Sequence, residues 1–562
     1  MNVAAAVLSV VPPALKPRHD RLKVASTVID LQQARLAAKS QREFANERGV
    51  PRSTLRGWVS RRDSIAANPK VVEFCESPEG IQFLQEIQTA ALFEFCKRGT
   101  AGLRIYCDFI KRSPLSPFVS SAYGTVQKAA TVMDQNIIAF GEEQLCVMAL
   151  EMLPRLISLS ADESFFPGCC LVAMDPVSGF IFLEQYAKGR DSDTWLAALK
   201  KSLEGLPITI LQLVSDEGRS LLCLAEKLDV PHSTDLFHGQ REVYKGLGPV
   251  LRALVRQAVR VVDDAKGQVV SRAMERDEYL LQIDARGPGR PPDFETRIET
   301  ANAAVIAAQE SLTAIEAVQD ELNAEVLGIG TDYHPFNLAT GQPRQADQVK
   351  KDLEQRFEKI HAIADDLDVS EGAQKRIDKA ARLLPKMVST ITFFWTTVAL
   401  FLAKCSLAPE VVALLYTVLI PQAYLNMVLL KAPVERRETI RTTIAKLTEL
   451  AEAATSPLAS LNSETRALVL GIAKECAEIF QRSSSCVEGR NGALSLHHHA
   501  GRSLSALRLQ VLRVIHNFGL KRCDGTTAAE RLSGSKHPDL YRWLLERQPL
   551  FVRPARTVAR AA

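Results

Sequence analysis

The sequence has no Cys-x-x-Cys pair, and Cys169 and Cys170 are the only close neighbours among its 11 cysteines. A disulfide framework is not expected in a chain this long and lysine-rich, so the cysteines indicate reduced thiols and a cytoplasmic protein. The apolar opening, residues 1–15, has no basic region before it. A signal peptide is therefore not expected either.

Long hydrophobic runs are also scarce. The most apolar run, residues 387–403, is interrupted by serines and threonines and is bounded by Lys386 and Lys404. A membrane-spanning helix needs about 20 predominantly apolar residues, so this run is at the short limit. We expect it to form a buried helix, and we expect no membrane association.

Charge is distributed unevenly along the 562 residues. Residues 1–62 carry 12 Lys and Arg against 4 Asp and Glu, and residues 481–562 carry 14 against 5. These ends have net charges of +8 and +9, so the total of +4 leaves −13 for the middle. Basic ends indicate contact with a polyanion, although a solvated basic face explains the same charge equally well.

The N-terminal segment has the layout of a helix-turn-helix. Ser40 and Glu43 form a capping-box pattern, and a second helix is predicted to begin near Arg52, with Leu55 and Trp58 facing the first helix. The N-terminal residues of such a helix enter the major groove. The candidate DNA-binding residues are Arg52, Ser53, Thr54 and Arg56. Any tight helical hairpin has a similar layout.

The chain length favours several domains, and composition changes along the sequence place their boundaries. Strand-like runs occur only between about 155 and 240, with a hairpin turn at residues 175–179. The expected regions are 1–64, a helix-turn-helix; 65–150, a helical DNA-binding or dimerisation region; 151–240, an α/β core; 241–480, an all-helical region; and 481–562, the last part of the core with a basic tail.

Three acidic residues are candidate metal ligands. Asp162 and Asp216 follow β-rich apolar runs, and Glu488 lies far downstream in SSSCVEGRNG, which we expect to be irregular. Carboxylates at strand ends are well placed to hold divalent ions. Glu163 and Glu217 are their neighbours, and adjacent strand residues face opposite sides, so we choose the aspartates.

Other conspicuous residues have simpler explanations. Glu530, a rival third acid, fits a capping box with Thr527, and Trp395 fits core packing among phenylalanines. The run His497–His498–His499 lacks a zinc pattern and is expected on the surface or facing a phosphate. Arg490 and Asn491 are candidates for contacts to DNA phosphates, although loop residues without a role are almost as common.

The ordered set of motifs resembles the DDE transposases of bacterial insertion sequences, and in particular the hAT-like group. SADES, DPVSGF, RDSDTW, VSDEG, Asp235-Leu-Phe-His238 and SSSCVEGRN carry the resemblance, over roughly residues 155–240 and 480–560. The long separation of Asp216 from Glu488 fits a helical insertion. One departure is that Gly489 precedes Arg490, where the hAT pattern has arginine directly after the acid.

The resemblance implies a multidomain α and α/β protein, with an RNase H-like mixed β-sheet core interrupted by a large all-α insertion. It implies two Mg²⁺ or Mn²⁺ ions held by Asp162, Asp216 and Glu488, with His238 assisting near the site. The implied partners are double-stranded DNA at element ends and target, and further copies of the chain. The implied location is the bacterial cytoplasm, on the nucleoid when bound.

The expected function is metal-dependent DNA cleavage and strand transfer by a transposase. Two alternatives stay open. One is a non-catalytic helix-turn-helix regulator or a degenerate transposase, and the other is a related nuclease that hydrolyses without integrating.

Overall fold

The computed structural model describes residues 21–549, except 64, 66, 167, 283, 285–288, 291 and 502. The apolar opening, much of the loop at 286–293 and the end of the basic tail therefore lie outside the described residues. Within the described residues the chain is mostly helical with one small mixed sheet, as expected for a multidomain α and α/β protein.

The chain divides into two compact units, each discontinuous in sequence. The first contains the described residues within Met1–Arg155, Ala161–Thr209 and Cys486–Ala562. The second contains Leu156–Ser160 and Ile210–Ser485. The finer division into five regions stays a prediction.

The N-terminal part of the first unit is helical. Its elements are α1 (Arg21–Leu36), α2 (Gln41–Glu47), α3 (Arg52–Asp63), α4 (Pro69–Glu76), α5 (Pro78–Ala91), a π-helical segment (Leu92–Arg98), α6 (Leu103–Arg112) and α7 (Tyr123–Glu151). The capping box at the start of α2 is confirmed: the Ser40 hydroxyl accepts the Glu43 N–H, and the Glu43 carboxylate accepts the Ser40 N–H. Leu55 and Trp58 of α3 pack against Phe44 of α2, as predicted.

The sheet has the strand order β3-β2-β1-β4-β5. Its strands are β1 (Arg155–Phe165), β2 (Cys169–Met174), β3 (Ile181–Tyr186), β4 (Ile208–Ser215) and β5 (His232–Thr234), with α8 (Ser192–Leu203) before β4 and α9 (Arg219–Leu228) after it. β2 and β3 are antiparallel, with Cys170 opposite Tyr186, and β4 and β5 are parallel, with Leu213 opposite His232. β5 was not predicted, because three residues are too few to show a period-2 pattern.

The predicted hairpin turn between β2 and β3 is confirmed. The Gly179 N–H donates to the Asp175 carbonyl at 2.8 Å, and Gly179 has a φ of +77°, a left-handed conformation that glycine adopts readily. The buried Asp175 carboxylate accepts the backbone N–H groups of Val177 and Ser178. Burial raises the pKa of Asp175. At the start of α8, Asp191 is the N-cap, and its carboxylate accepts the backbone N–H groups of Asp193 and Thr194.

The second unit is almost entirely helical after β5, as predicted. Its helices are α10 (Leu236–Leu281), α11 (Phe294–Asp332), α12 (Ala346–Asp366), α13 (Glu371–Ala381), α14 (Leu384–Lys404), α15 (Pro409–Leu414), a π-helical segment (Leu415–Leu419), α16 (Ile420–Lys431), α17 (Val434–Glu452), a 3₁₀ turn (Pro457–Ser460) and α18 (Ser463–Glu478). Trp395 of α14 packs edge-on against Phe336 and donates to the Arg344 carbonyl, so its core role is confirmed.

Two helical segments of this unit, Glu371–Lys404 and Pro409–Lys431, are long and apolar enough to cross a membrane by length and composition. Both also supply side chains to the large core of the unit, including Met387, Phe394 and Leu425. The apolar segments are therefore compatible with a soluble protein.

The C-terminal part of the first unit is mostly helical within the described residues. Its elements are α19 (Ser485–Gly501), α20 (Ala506–Val514), a π-helical segment (Ile515–Gly519), α21 (Ala528–Ser533) and α22 (Leu540–Arg547). The prediction of an irregular segment around Glu488 was wrong, since Glu488 lies in α19. Val487 and Leu494 recur at helical spacing, and both are fully buried. The Thr527–Glu530 capping box is confirmed, which explains Glu530 structurally.

Candidate active site

Asp162 lies inside β1 rather than at its end, because the strand continues to Phe165. Its carboxylate is half-buried and accepts hydrogen bonds. Oδ2 accepts the side-chain Nδ2 of Asn491 at 2.9 Å, and Oδ1 accepts the backbone N–H of Glu163 at 2.8 Å. The structure thus connects the predicted first acid directly to α19, the helix that carries Glu488.

The neighbouring acid, Glu163, has different partners. Its carboxylate accepts the indole Nε1 of Trp195 at 3.2 Å and a guanidinium nitrogen of Arg190 at 3.4 Å. Both partners are in or just before α8, so Glu163 links β1 to that helix. The different surroundings of Asp162 and Glu163 agree with the alternation of side chains along a strand.

The position of Glu488 follows from the phase of α19. Val487, Arg490 and Leu494 form the buried face of this helix. Residues three apart are neighbours on a helix surface, so Glu488 and Asn491 share the edge beside that buried face. Since Asn491 contacts Asp162, Glu488 lies one helical turn from a contact to the predicted first acid.

Arg490 anchors α19 to β3. Its guanidinium donates two hydrogen bonds to the Glu184 carboxylate, at 2.6 and 2.7 Å, and the two residues are only 8% and 1% exposed. Such a planar, bidentate pair fixes orientation as well as distance. This geometry favours a positioning role for Arg490 over the DNA contact expected from the sequence, because the guanidinium is engaged inside the protein.

In the described part of the chain, the nitrogen of the Asn491 side-chain amide is hydrogen-bonded and its oxygen is not. Its nitrogen faces Asp162, since an ionised carboxylate can only accept, and its oxygen is buried without a hydrogen-bond partner among the described residues. A buried orphan oxygen is costly unless a ligand completes it. Asp162 and Glu488, the first unit's members of the predicted metal set, are hard oxygen donors of the kind that Mg²⁺ and Mn²⁺ prefer, and the Asn491 oxygen is another donor of that kind.

Asp216 lies directly after β4 in the second unit. Its Oδ1 accepts the Gly218 N–H at 2.9 Å, which shapes the turn into α9. Its neighbour Glu217 instead accepts the Thr234 hydroxyl at 2.5 Å and pairs with Lys386 of α14. Burial acts to raise the pKa of Glu217, but the Lys386 and Thr234 hydrogen bonds outweigh it and hold the pKa below its usual range. Glu217 is therefore a structural ion-pair member, and Asp216 is the candidate ligand of the two.

Asp235 and His238 are positioned together by the start of α10. Asp235 is the fully buried N-cap: its carboxylate accepts the Phe237 N–H, the Ser484 hydroxyl and His238 Nδ1, the last at 3.3 Å. Burial acts to raise the pKa of Asp235, but the His238 and Ser484 hydrogen bonds lower it further than burial raises it. The carboxylate thus stays ionised and orients the predicted histidine through its Nδ1.

The predicted DNA-binding residues of α3 lie at its N-terminal end. Arg52, Ser53 and Arg56 are exposed and Thr54 is half-buried. Their side chains are available to a partner, and contact with DNA stays a prediction. The three adjacent histidines lie on α19 rather than in a loop: His498 packs against Phe166, and burial lowers the pKa of His497 to about 4.

Comparison with known proteins finds a family model that covers part of this site. A model of a family of unknown function, DUF6399, matches residues 415–560. This range includes all of α19, and so it includes Glu488, Arg490 and Asn491. No curated protein matches the chain.

Proposed function

We propose that this protein is a DDE-type DNA transposase, which cleaves DNA in a metal-dependent reaction and transfers the cut strand to a target. One observation carries the proposal: the 2.9 Å hydrogen bond between Asn491 and Asp162. This contact between residues far apart in sequence supports the proposal, because it joins the strand that carries Asp162 to the helix that carries Glu488. The helical insertion between Asp216 and Glu488 also supports the proposal.

Asp162, Asp216 and Glu488 are the proposed ligands of two Mg²⁺ or Mn²⁺ ions. Bound ions of this kind activate the attacking oxygen and stabilise the leaving oxygen of a phosphodiester. Asp235 and His238 are additional potential ligands by residue type. The ions' identity rests on the oxygen-rich donor set.

The chain's own residues would prepare this site before any ion binds. Asn491 holds the Asp162 carboxylate, and Arg490 fixes the helix that carries Asn491. Asp235 fixes the ring of His238, whose proposed part is a hydrogen bond to a DNA phosphate. Fixing the ligating and bonding groups in advance lowers the reorganisation needed during the reaction.

Cleavage of a supercoiled plasmid that carries the element ends tests the proposal. We expect nicking or end release in Mg²⁺ by the unaltered protein, and none by Asp216→Asn or Glu488→Gln. Asp524→Asn is the matched control, because Asp524 is an exposed turn residue bonded to Thr526, and it should cleave normally. End binding by every variant is measured in parallel. Cleavage that survives Asp216→Asn contradicts the site assignment.

A regulator without catalysis is the second candidate. The exposed arginines at the start of α3 favour it, because they support DNA binding whether or not the acids act. End binding with no cleavage by any variant would establish this function instead. Cleavage without strand transfer in the same reactions would indicate a hydrolytic nuclease.

A further inference from the structure

The first half of α10 carries a row of basic residues on its solvent face. The members of this basic row are Arg241, Lys245, Arg252, Arg256 and Arg260, and all five are exposed. Helix geometry, at 100° per residue, places them within one face about 100° wide. The buried residues of this part of the helix, which include Val243, Leu247 and Leu251, lie on the opposite face. The helical repeat thus brings these five side chains onto one face, and none of them belongs to the face that packs against the core.

The basic row is poorly neutralised by the protein itself. Between Leu236 and Val262 the only acidic residue is Glu242, against the five basic ones, and Asp263 and Asp264 follow directly. Lys245 contacts Glu242 at 3.4 Å. Within the part of the chain that the structure describes, no acidic side chain lies within 4 Å of Arg252, Arg256 or Arg260. The row also lies in the otherwise acidic middle of the chain. Its positive charge is therefore concentrated at this one surface, in a region whose net charge is negative.

The spacing of the row suits a regular polyanion. From position 241 to position 260 the helix rises about 28 Å, at about 1.5 Å per residue. Three of the four steps along the row are four residues long and give about 6 Å between side chains, which is close to the separation of neighbouring phosphates along one strand. The step from Lys245 to Arg252 is seven residues long, or about 10 Å. Arginine also binds phosphate through two parallel hydrogen bonds.

We propose that this face of α10 is a second DNA-binding surface, which holds the phosphate backbone of duplex DNA without reading its sequence. The proposal deepens the transposase assignment and rests on it for the identity of the polyanion. Binding would be electrostatic, because the row consists of flexible, exposed side chains and has no groove for base contacts. A membrane surface is the competing anionic partner, and the experiment separates the two.

The test neutralises three members of the row in the full chain: Arg252→Gln, Arg256→Gln and Arg260→Gln together. Affinity for a duplex of unrelated sequence is measured without divalent ions over a range of salt concentrations. The same variant is also made with Arg52→Gln and Arg56→Gln, so that binding through α3 does not hide the effect. The matched control replaces three exposed lysines of the same unit, Lys350, Lys351 and Lys446, with glutamine.

Each phosphate contact contributes about 0.9 to the slope of log affinity against log salt. Loss of three contacts should therefore reduce the slope by about 2.7, so that affinity falls about 40-fold less between 50 and 200 mM salt. The control should keep the original slope. An unchanged slope in the triple variant overturns the proposal, as does unchanged DNA affinity with lost binding to vesicles rich in phosphatidylserine.

This assay needs no catalysis, so its failure and the failure of the transposase proposal are distinguishable. Lost DNA binding by the triple variant, with no cleavage by the unaltered protein, supports the surface and rejects the enzyme. Normal cleavage with an unchanged salt slope rejects only the surface.

Discussion

The buried pair of Arg490 and Glu184 allows a quantitative prediction about how α19 is held. Replacing Arg490 with methionine removes both hydrogen bonds to Glu184, which is only 1% exposed. An uncompensated buried charge of this kind costs about 3–5 kcal/mol. A factor of ten corresponds to about 1.4 kcal/mol, so local opening of α19 should rise about a hundred- to several-thousand-fold.

Hydrogen exchange measured by mass spectrometry on peptides from residues 485–501 is the suitable assay. A single free energy of unfolding is not defined for a chain with two units, whereas local opening is measured directly. Arg98→Met is the matched control, since Arg98 pairs with Glu94 at 3.0 Å on the surface. Exposed pairs contribute about 0–1 kcal/mol, so this control should exchange almost normally.

The double variant Arg490→Met with Glu184→Leu supplies the decisive comparison. Removing both charges leaves no buried ion, and replacement of a buried pair by apolar residues is often nearly neutral. We therefore expect α19 to regain most of its protection, and cleavage activity to recover in part. If α19 in the double variant loses as much protection as Arg490→Met and Glu184→Leu lose in sum, the ion pair is not what holds the helix.

Further predictions concern single contacts. Asn491→Ala should lower cleavage about 10- to 100-fold with DNA binding unchanged, measured as initial nicking rate, because it removes the donor that holds Asp162. Ser484→Ala should raise the pKa of Asp235 in the folded protein, because it removes a hydrogen bond that lowers this pKa. The ionised carboxylate contributes its full stability above the ordinary pKa of aspartate, and this stability is lost as the pH falls through the lowered pKa of the folded protein. Circular dichroism should therefore show that acid unfolding of the variant begins at a higher pH. Trp58→Ala should destabilise the α1–α3 core by about 3–5 kcal/mol and remove end binding, seen by hydrogen exchange of residues 21–62 and by gel shift. Thr527→Ala should cost about 1 kcal/mol at the start of α21, with little effect on the site.

Local features of the fold could be predicted from the sequence because their causes are local. The capping boxes at Ser40 and Thr527 and the turn before Gly179 involve residues at most four apart. Runs of strand-forming residues likewise identified β1–β4, and a composition rich in Ala, Leu, Glu and Lys identified the helical region after β5. In each case the interacting groups are close together in the sequence, so a pattern of residue types determines the local structure.

The supporting contacts of the site could not be predicted in the same way. Asn491 is 329 residues from Asp162, and Arg490 is 306 residues from Glu184. The residue types alone do not identify Asp162 or Glu184 as the partners, since arginines and asparagines are common in any sequence. Only the packing of Val487 and Leu494 against the core of β2 and β3 determines which side of α19 meets the strands.

The helical phase of α19 also changes what the family resemblance can support. In the hAT pattern an arginine directly follows the acid, whereas here Gly489 intervenes before Arg490. One residue rotates a side chain by about 100° on a helix. Gly489 is exposed, and a Cβ there would meet nothing within 4 Å, while Arg490 is buried against Glu184. An arginine at position 489 would therefore point to solvent, so Arg490 is not its structural equivalent. The resemblance at this helix consequently rests on Glu488 and its neighbour Asn491, and the arginine contributes to it only by fixing the helix on which they lie.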